Sequence, residues 1–394
     1  MRTPPVSNGD VLELSPDALV AGGEAICRVE GFPLFVPGIY PGDVARVEVV
    51  EVKKGFGRGQ LVELLTPSPQ RRSDPCPVSD ECGGCDWAEL RLDAQLEAKR
   101  GILIDSLRRV GKFDPASLPP VRLHASPLNY RLRSRLHADA ADPWKVGFYA
   151  RRSNDVVPLS DHCEIVGPAL LGSLAALGGV GRRGAIIDTF ESNHGFSFAT
   201  RPDEYAEGVP VALEVDGRSY TLSTTTFFQV NRHLLGRLLA LVSAHGTASS
   251  GKNLALDLYG GVGFFALPLA EIFGRVVTVE ELGEAHTFAG LNCRATPNVA
   301  VVGGSVEEFL SEFDEQADFA LVDPPRAGLS SLALELLAKA APPTICYLSC
   351  DPVTFSRDVA ELGRRGYALR SLDLLDLFPN THHVETLSSL VLER

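Results

Sequence analysis

From Thr221 onwards, short apolar runs alternate with amphipathic stretches, and that alternation restricts the second half of the chain to the α/β class, a parallel sheet wound by helices on both faces. Such sheets bind ligands beyond the carboxyl ends of their strands. The residues that close each apolar run are therefore where chemistry is to be sought. Residues 253–258 close on Asp257 and Leu258 and run into Tyr259-Gly260-Gly261-Val262-Gly263, whose glycines let backbone approach a ligand at the start of a helix expected over 264–273. Residues 276–279 close on Glu280, about twenty residues further on, where a carboxylate can accept both hydroxyls of a ribose. The turn lacks the G-x-G-x-x-G spacing and offers no basic residue to a pyrophosphate, which favours S-adenosylmethionine over a dinucleotide.

Two further runs close on reactive groups. Residues 320–322 lead into Asp323-Pro324-Pro325-Arg326, a loop stiffened by its prolines, and are followed by a helix expected over 330–341. Residues 344–352, TICYLSCDP, end in Ser349-Cys350-Asp351-Pro352 ahead of a helix over 354–363, so Cys350 stands at a strand's carboxyl end. Cys346 shares that strand's face but lies four residues back inside the sheet. The last two strands, 371–378 and 384–392, are joined only by Pro379-Asn380-Thr381-His382-His383. So short a link cannot cross over between parallel strands, so the final strand must run backwards. Its first residues then lie at the same edge as the ends of the others, and Glu385 is expected to face Cys350 across a cleft.

Upstream of this half the text is different. Residues 10–67 are rich in Val, Glu and Gly, with turn signals at Pro37-Gly38, Pro41-Gly42 and Gly55-Phe56-Gly57, the spacing of a small β-barrel of the kind that often binds oligonucleotides. Cys76, Cys82 and Cys85 follow in a C-x5-C-x2-C loop rich in glycine, three thiolates able to converge on one centre, with Cys163 as the natural fourth. Zinc or an iron-sulfur cluster would suit those four. A helix is expected over 88–110 with Gly111 as its stop, then a β-rich stretch over 121–220 containing a short helix at 168–177. Eight cysteines scattered over 394 residues do not make a secreted disulfide scaffold, and no apolar run is long enough to span a membrane. A cytoplasmic protein is expected. The net charge of −13 argues against nucleic-acid binding by bulk charge, yet Arg131, Arg133 and Arg135 alternate with Leu132, Ser134 and Leu136, so a strand would place the three guanidinium groups on one face, solvated or following a phosphate backbone.

Phe228-Gln229-Val230-Asn231, residues 257–263, Asp323-Pro324-Pro325-Arg326, Ser349-Cys350-Asp351-Pro352 and His383-Val384-Glu385-Thr386 together resemble the catalytic domain of the S-adenosylmethionine-dependent RNA uracil-5-methyltransferases, which act on tRNA or 23S ribosomal RNA. Cys76, Cys82, Cys85 and Cys163 are similar to the four-cysteine pattern of members that carry a 4Fe-4S cluster, and residues 10–67 to their TRAM domain. The resemblance implies a Rossmann-like class I methyltransferase domain with a reversed last strand at 221–394, a TRAM-like β-barrel at 1–67, and a central β-rich iron-sulfur domain at 68–220. It implies Cys350 as nucleophile and Glu385 as base. Gln229, Tyr259, Gly260, Glu280, Ser305 and Asp323 would contact S-adenosylmethionine, although Phe264 stands where an asparagine is frequent. The partner would be RNA, 23S ribosomal RNA ahead of tRNA with its uridine-54 type methylation, and a monomer without membrane contact is expected. Arg131, Arg133, Arg135 and Arg326 would touch the RNA, with Phe227, Phe228, His382 and His383 as candidates to stack on a splayed-out uridine.

Two rivals stand beside this reading. An exocyclic-amine methyltransferase would want an aromatic residue where Arg326 stands, and would need no thiol. A non-catalytic RNA-binding iron-sulfur protein would bind no methyl donor.

Overall fold

The computed structural model describes residues 4–177, 184–202, 208–281 and 283–393. Its largest sheet has eight strands, in spatial order Val299–Gly303, Arg275–Glu280, Leu254–Leu258, Phe319–Val322, Thr344–Ser349, Glu385–Leu392, Tyr367–Leu375 and Val121–His124. Leu254–Leu258, Phe319–Val322 and Thr344–Ser349 are buried at every residue, which is why they read as unbroken apolar runs: helices cover both faces. Glu385–Leu392 is antiparallel to both its neighbours. The reversed last strand expected from the short link is present.

Val121–His124 sits where the sequence pattern did not place it. It extends the large sheet, parallel to Tyr367–Leu375, instead of joining the central β-rich stretch. The cause is Asp373, buried on that strand, whose carboxylate accepts from Arg122 Nη2 at 2.5 Å and pairs with His124 Nε2 at 2.8 Å. A four-residue alternation shows that a strand forms but not which sheet receives it.

The N-terminal sheet has six strands, in the order Val11–Leu14, Val44–Val52, Gly57–Thr66, Phe32–Val36, Ala25–Val29 and Ala18–Leu19. Ala45, Val47 and Val49 alternate inward, and Gly59 lets the paired strand approach so closely that a Cβ there would lie 2.4 Å from Val47 Cγ1. Trp87, wholly buried after the cysteine loop, donates from Nε1 to Gly23 O at 3.0 Å and ties that loop to this sheet. The central sheet is antiparallel throughout, in the order Val156–Pro158, Val146–Tyr149, Arg133–Ala138, Ile186–Ser192 and Gly195–Arg201.

Several helices are shorter than their patterns suggested, while the one expected over 354–363 runs longer, Pro352–Arg364. The stretch 264–273 is α-helical only over Ala266–Ala270, and 168–177 splits into Pro168–Gly172 and Leu174–Leu177. Leu92–Arg109 carries Lys99, which is fully buried and paired with Asp376 at 2.6 Å. That pair fastens the helix to the loop ahead of Glu385. An unpaired charge at that depth would cost several kcal/mol, roughly 3–5 when one partner is removed.

Candidate active site

The expected closing residues meet at one edge of the large sheet. Thr344–Ser349 pairs with Glu385–Leu392 in a register that sets Ser349 opposite Thr386, and the next step of an antiparallel ladder sets Cys350 opposite Glu385. Cys350 is half-buried, and Glu385 is 3% exposed. Asp351, beside the thiol, caps Pro352–Arg364, its carboxylate accepting from the Val353 and Thr354 amides at 2.9 and 2.8 Å. The cap holds the turn that presents Cys350 at a helix N-terminus.

Acids crowd this edge. Burial pushes Asp323 up to about 8, with Asp257 and Glu280 raising it further, against a hydrogen bond from Gln229 Nε2 at 3.2 Å. Burial likewise lifts Asp257 to about 7 and raises Glu280. Glu385 lies well above the usual carboxylate range because it is buried and faces Asp323, with Arg326 acting in the opposite sense. The Cys350 thiol is pushed up to about 11 by burial first, then by Glu385 and Asp323, again opposed by Arg326. Burial first, and then mutual repulsion, holds these acids above the ordinary carboxylate range, so a positive charge placed among them would be favoured and would draw them towards their carboxylate forms.

The glycine turn is built for close approach. Gly261 N donates to Glu280 Oε2 at 2.9 Å, and a Cβ on Gly260 would lie 1.9 Å from Thr278 Oγ1, so only glycine fits there. Tyr259 holds a left-handed φ of 63°, where the chain turns out of Leu254–Leu258 into the glycines. Asp257 accepts from Thr278 Oγ1 at 3.0 Å through one oxygen, while its other oxygen is buried without a partner among the described residues. That orphaned acceptor and the glycine cradle suit a nucleoside with a cationic tail. Sequence reasoning noted Asp257 as a strand end but left it out of the ligand set; an acid closing the first strand was the available signal.

Arg326, exposed at the mouth, donates from Nη2 to His383 Nδ1 at 3.1 Å. Burial, His382 and Arg326 together push His383 down to about 3, so its ring is neutral and can accept.

Some expected contacts are made elsewhere. Ser305 caps Val306–Glu312, accepting from Glu308 N at 3.1 Å, so its hydroxyl serves that helix. Phe228 is 4% exposed, edge-on to Phe264 at 5.0 Å between ring centroids, and therefore belongs to the core; Phe227, 69% exposed, is the one open to stacking. The arginines do not form an open row. Arg131 lies over the Tyr130 and Phe148 rings, and Arg133 donates to the Thr226 carbonyl at 2.8 Å, so both carry contacts within the protein while staying partly exposed. Arg135 stays partly exposed while pairing with Asp188 at 3.1 Å.

Cys76, Cys82, Cys85 and Cys163 line one cavity, together with Phe148, Leu159 and Ile165. Among the described residues no group of three His, Cys, Asp or Glu side chains is gathered tightly enough to hold one metal ion.

Comparison with known proteins agrees with this geometry. The profile of the tRNA (Uracil-5-)-methyltransferase family matches residues 204–394 and that of the TRAM domain residues 8–62. A relative from Corynebacterium efficiens, named as an uncharacterized RNA methyltransferase, is 32% identical over 98% of this chain and 96% of its own length. The 23S rRNA (uracil(1939)-C(5))-methyltransferase of Shewanella baltica is 29% identical over 96% of this chain and 95% of its own. The crystal structure of the Pyrococcus abyssi tRNA (uracil-54, C5)-methyltransferase with S-adenosyl-L-homocysteine shares the fold, with a TM-score of 0.73 at 24% identity over 96% of this chain and all of that one. With a thiol opposite a buried carboxylate, a glycine cradle beside them and relatives alike over nearly their whole length, the chain belongs to the S-adenosylmethionine-dependent RNA uracil-5-methyltransferases.

Proposed function

We propose that this enzyme methylates C5 of a uridine in structured RNA, with 23S ribosomal RNA as its substrate, using Cys350 as nucleophile and Glu385 as base. The observation that carries the reading is the antiparallel register that ends with Ser349 opposite Thr386, one step short of Cys350 and Glu385, together with the charge coupling between those two. The rRNA assignment is supported by the full-length likeness to the Shewanella baltica enzyme. Three domains serve it: residues 1–67 and 68–220 grip the RNA, and 221–394, extended by Val121–His124, carries the chemistry.

Uracil C5 is too weak a nucleophile to take a methyl group unaided. Once the Cys350 thiol has given its proton to solvent, bonding of the thiolate sulfur to C6 pushes an electron pair through C5 towards O4, where the exposed Arg326 can balance the enolate charge. S-adenosylmethionine, when bound, supplies an electrophilic methyl group on a sulfonium; Gln229, Tyr259, Gly260, Asp257, Glu280 and Asp323 would hold it. Once C5 carries the methyl group, Glu385 takes the C5 proton, the double bond re-forms, and the C6–S bond breaks to release Cys350.

The acid pocket gives this reading a pH signature. Below about 8 Asp323 is increasingly protonated, and a bound sulfonium favours its carboxylate form. Affinity for S-adenosylmethionine is therefore expected to rise about tenfold from pH 6.5 to 8.5 by titration calorimetry, since a group displaced by one pH unit changes binding by that factor. S-adenosylhomocysteine, lacking the sulfonium charge, should change much less; equal slopes would count against the acids as the cation's seat.

Cys76, Cys82, Cys85 and Cys163, which line one cavity, would hold a 4Fe-4S cluster through four thiolates. With every iron ligated by protein, the cluster's part would be structural. Mapping 5-methyluridine by mass spectrometry in RNA from a strain without this protein tests the whole. The expected result is its loss from 23S rRNA with tRNA unchanged, and iron with acid-labile sulfide in protein purified under nitrogen. Loss from tRNA alone would transfer the substrate assignment, and an unchanged map would overturn the function.

A further inference from the structure

We propose that Asp86, next to the cysteine loop, is a positioning residue for the uracil end of the active site: through His382 it sets His383 against Arg326. The inference rests on the methylation reading above, which places Arg326 and His383 at the mouth of the pocket.

The link between the last two strands is held in two halves. Its first half is fixed by backbone and buried side chains. Lys99 Nζ donates to Phe378 O at 2.9 Å, Asn380 N donates to Gln95 Oε1 at 2.7 Å, and Asn380 O accepts from the Asp86 and Trp87 amides at 2.9 and 3.0 Å. Asn380 adopts a left-handed φ of 65°, which turns the chain there. The second half, His382-His383, is held differently. Both the His382 amide and its ring Nδ1 bond to one atom, Asp86 Oδ2, at 3.3 and 2.6 Å. On the other side Gly23 closes on the ring so tightly that a Cβ there would sit 3.1 Å from His382 Cβ. His382 is thus clamped between the N-terminal sheet and the residue that follows Cys85.

From His382 the order passes inward. Its ring centroid lies 4.4 Å from that of His383, which is edge-on to Phe378 at 5.4 Å and accepts from Arg326. Arg326 is the cation that opposes the acids around Cys350 and Glu385. Freeing His382 would let His383 swing and would release the tip of Arg326 from the ring it bonds to. None of this touches the donor pocket of Gln229, Asp257 and Glu280.

The test uses full-length protein of measured metal content, acting on 23S rRNA from a strain that lacks it. Asp86→Ala and His382→Ala are each expected to lower kcat roughly ten- to a hundredfold, the scale of a misplaced catalytic group, with S-adenosylmethionine affinity unchanged. The double variant should be no slower than the slower single one, and Asp86→Asn, which keeps an acceptor, should recover most of the rate. Covalent capture by 5-fluorouridine RNA should slow in parallel. An Asp86→Ala enzyme as fast as wild type overturns this inference alone, as does a rate that falls only in step with lost metal. A wild type that methylates no RNA at C5 overturns the reading beneath it.

Discussion

Cys350→Ala is expected to abolish methyl transfer, lowering kcat by roughly 10⁴-fold or more, because on the proposed mechanism the substitution removes the atom that makes C5 nucleophilic. Cys346, the other thiol on that strand, is fully buried, with its proton held more firmly still by that burial. Cys350 itself begins as a thiol, since burial and the facing acids hold it at about 11. Of the neighbours that act on it, Arg326 favours the thiolate, while Glu385 and Asp323 oppose it. A substrate or ligand that offset those two acids would favour the thiolate. On denaturing gels, 5-fluorouridine RNA should give a covalent band with wild type and with Cys346→Ala, and none with Cys350→Ala. Persistence of the band without Cys350 would place the nucleophile elsewhere. Full methyl transfer by Cys350→Ala would restore the exocyclic-amine chemistry that Arg326 argues against.

Much of this site could be read from sequence because its parts are fixed by chain connectivity. The short link Pro379 to His383 forces the last strand to reverse, and reversal alone brings Glu385 to the edge where Cys350 ends its own strand. Asp257, Glu280 and Asp323 follow from the same rule, each closing a parallel strand. What stayed hidden are contacts between segments far apart in the chain. Alternation placed Arg131, Arg133 and Arg135 on one face, but the carbonyl of Thr226 that takes Arg133 lies 93 residues on. Phe228 looked equivalent to Phe227 until Tyr220 and Phe264 supplied an aromatic nest for one and left the other in solvent. The bond from Asp86 to His382 spans 296 residues and two structural layers. Periodicity reports which residues face inward together; it carries no information about which distant face they meet.

Glu385→Gln is expected to stop the reaction late instead of early. The amide keeps the shape and the hydrogen-bonding reach of the acid, and a residue this deeply buried gains by losing a carboxyl that crowds Asp323, so the fold should hold. What glutamine lacks is a site for a proton. Attack by Cys350 and methyl transfer to C5 do not need one, but release does: until the C5 proton leaves, the electron pair that expels sulfur is unavailable. The variant should therefore accumulate RNA joined to Cys350 through C6 and already methylated at C5, with turnover reduced about 10²- to 10⁴-fold. Mass spectrometry of the nuclease-trimmed adduct would show uridine plus one methyl group on the peptide containing Cys350. Because Glu385 would act as a carboxylate and is held well above the ordinary range, the wild-type rate should climb as pH rises beyond the usual carboxylate range. With S-adenosylmethionine saturating, Glu385→Gln should lose the part of that climb owed to Glu385 and keep the part owed to Cys350. Turnover at the wild-type rate, or an adduct without the methyl group, would show that another residue removes the proton or that Glu385 acts before the transfer.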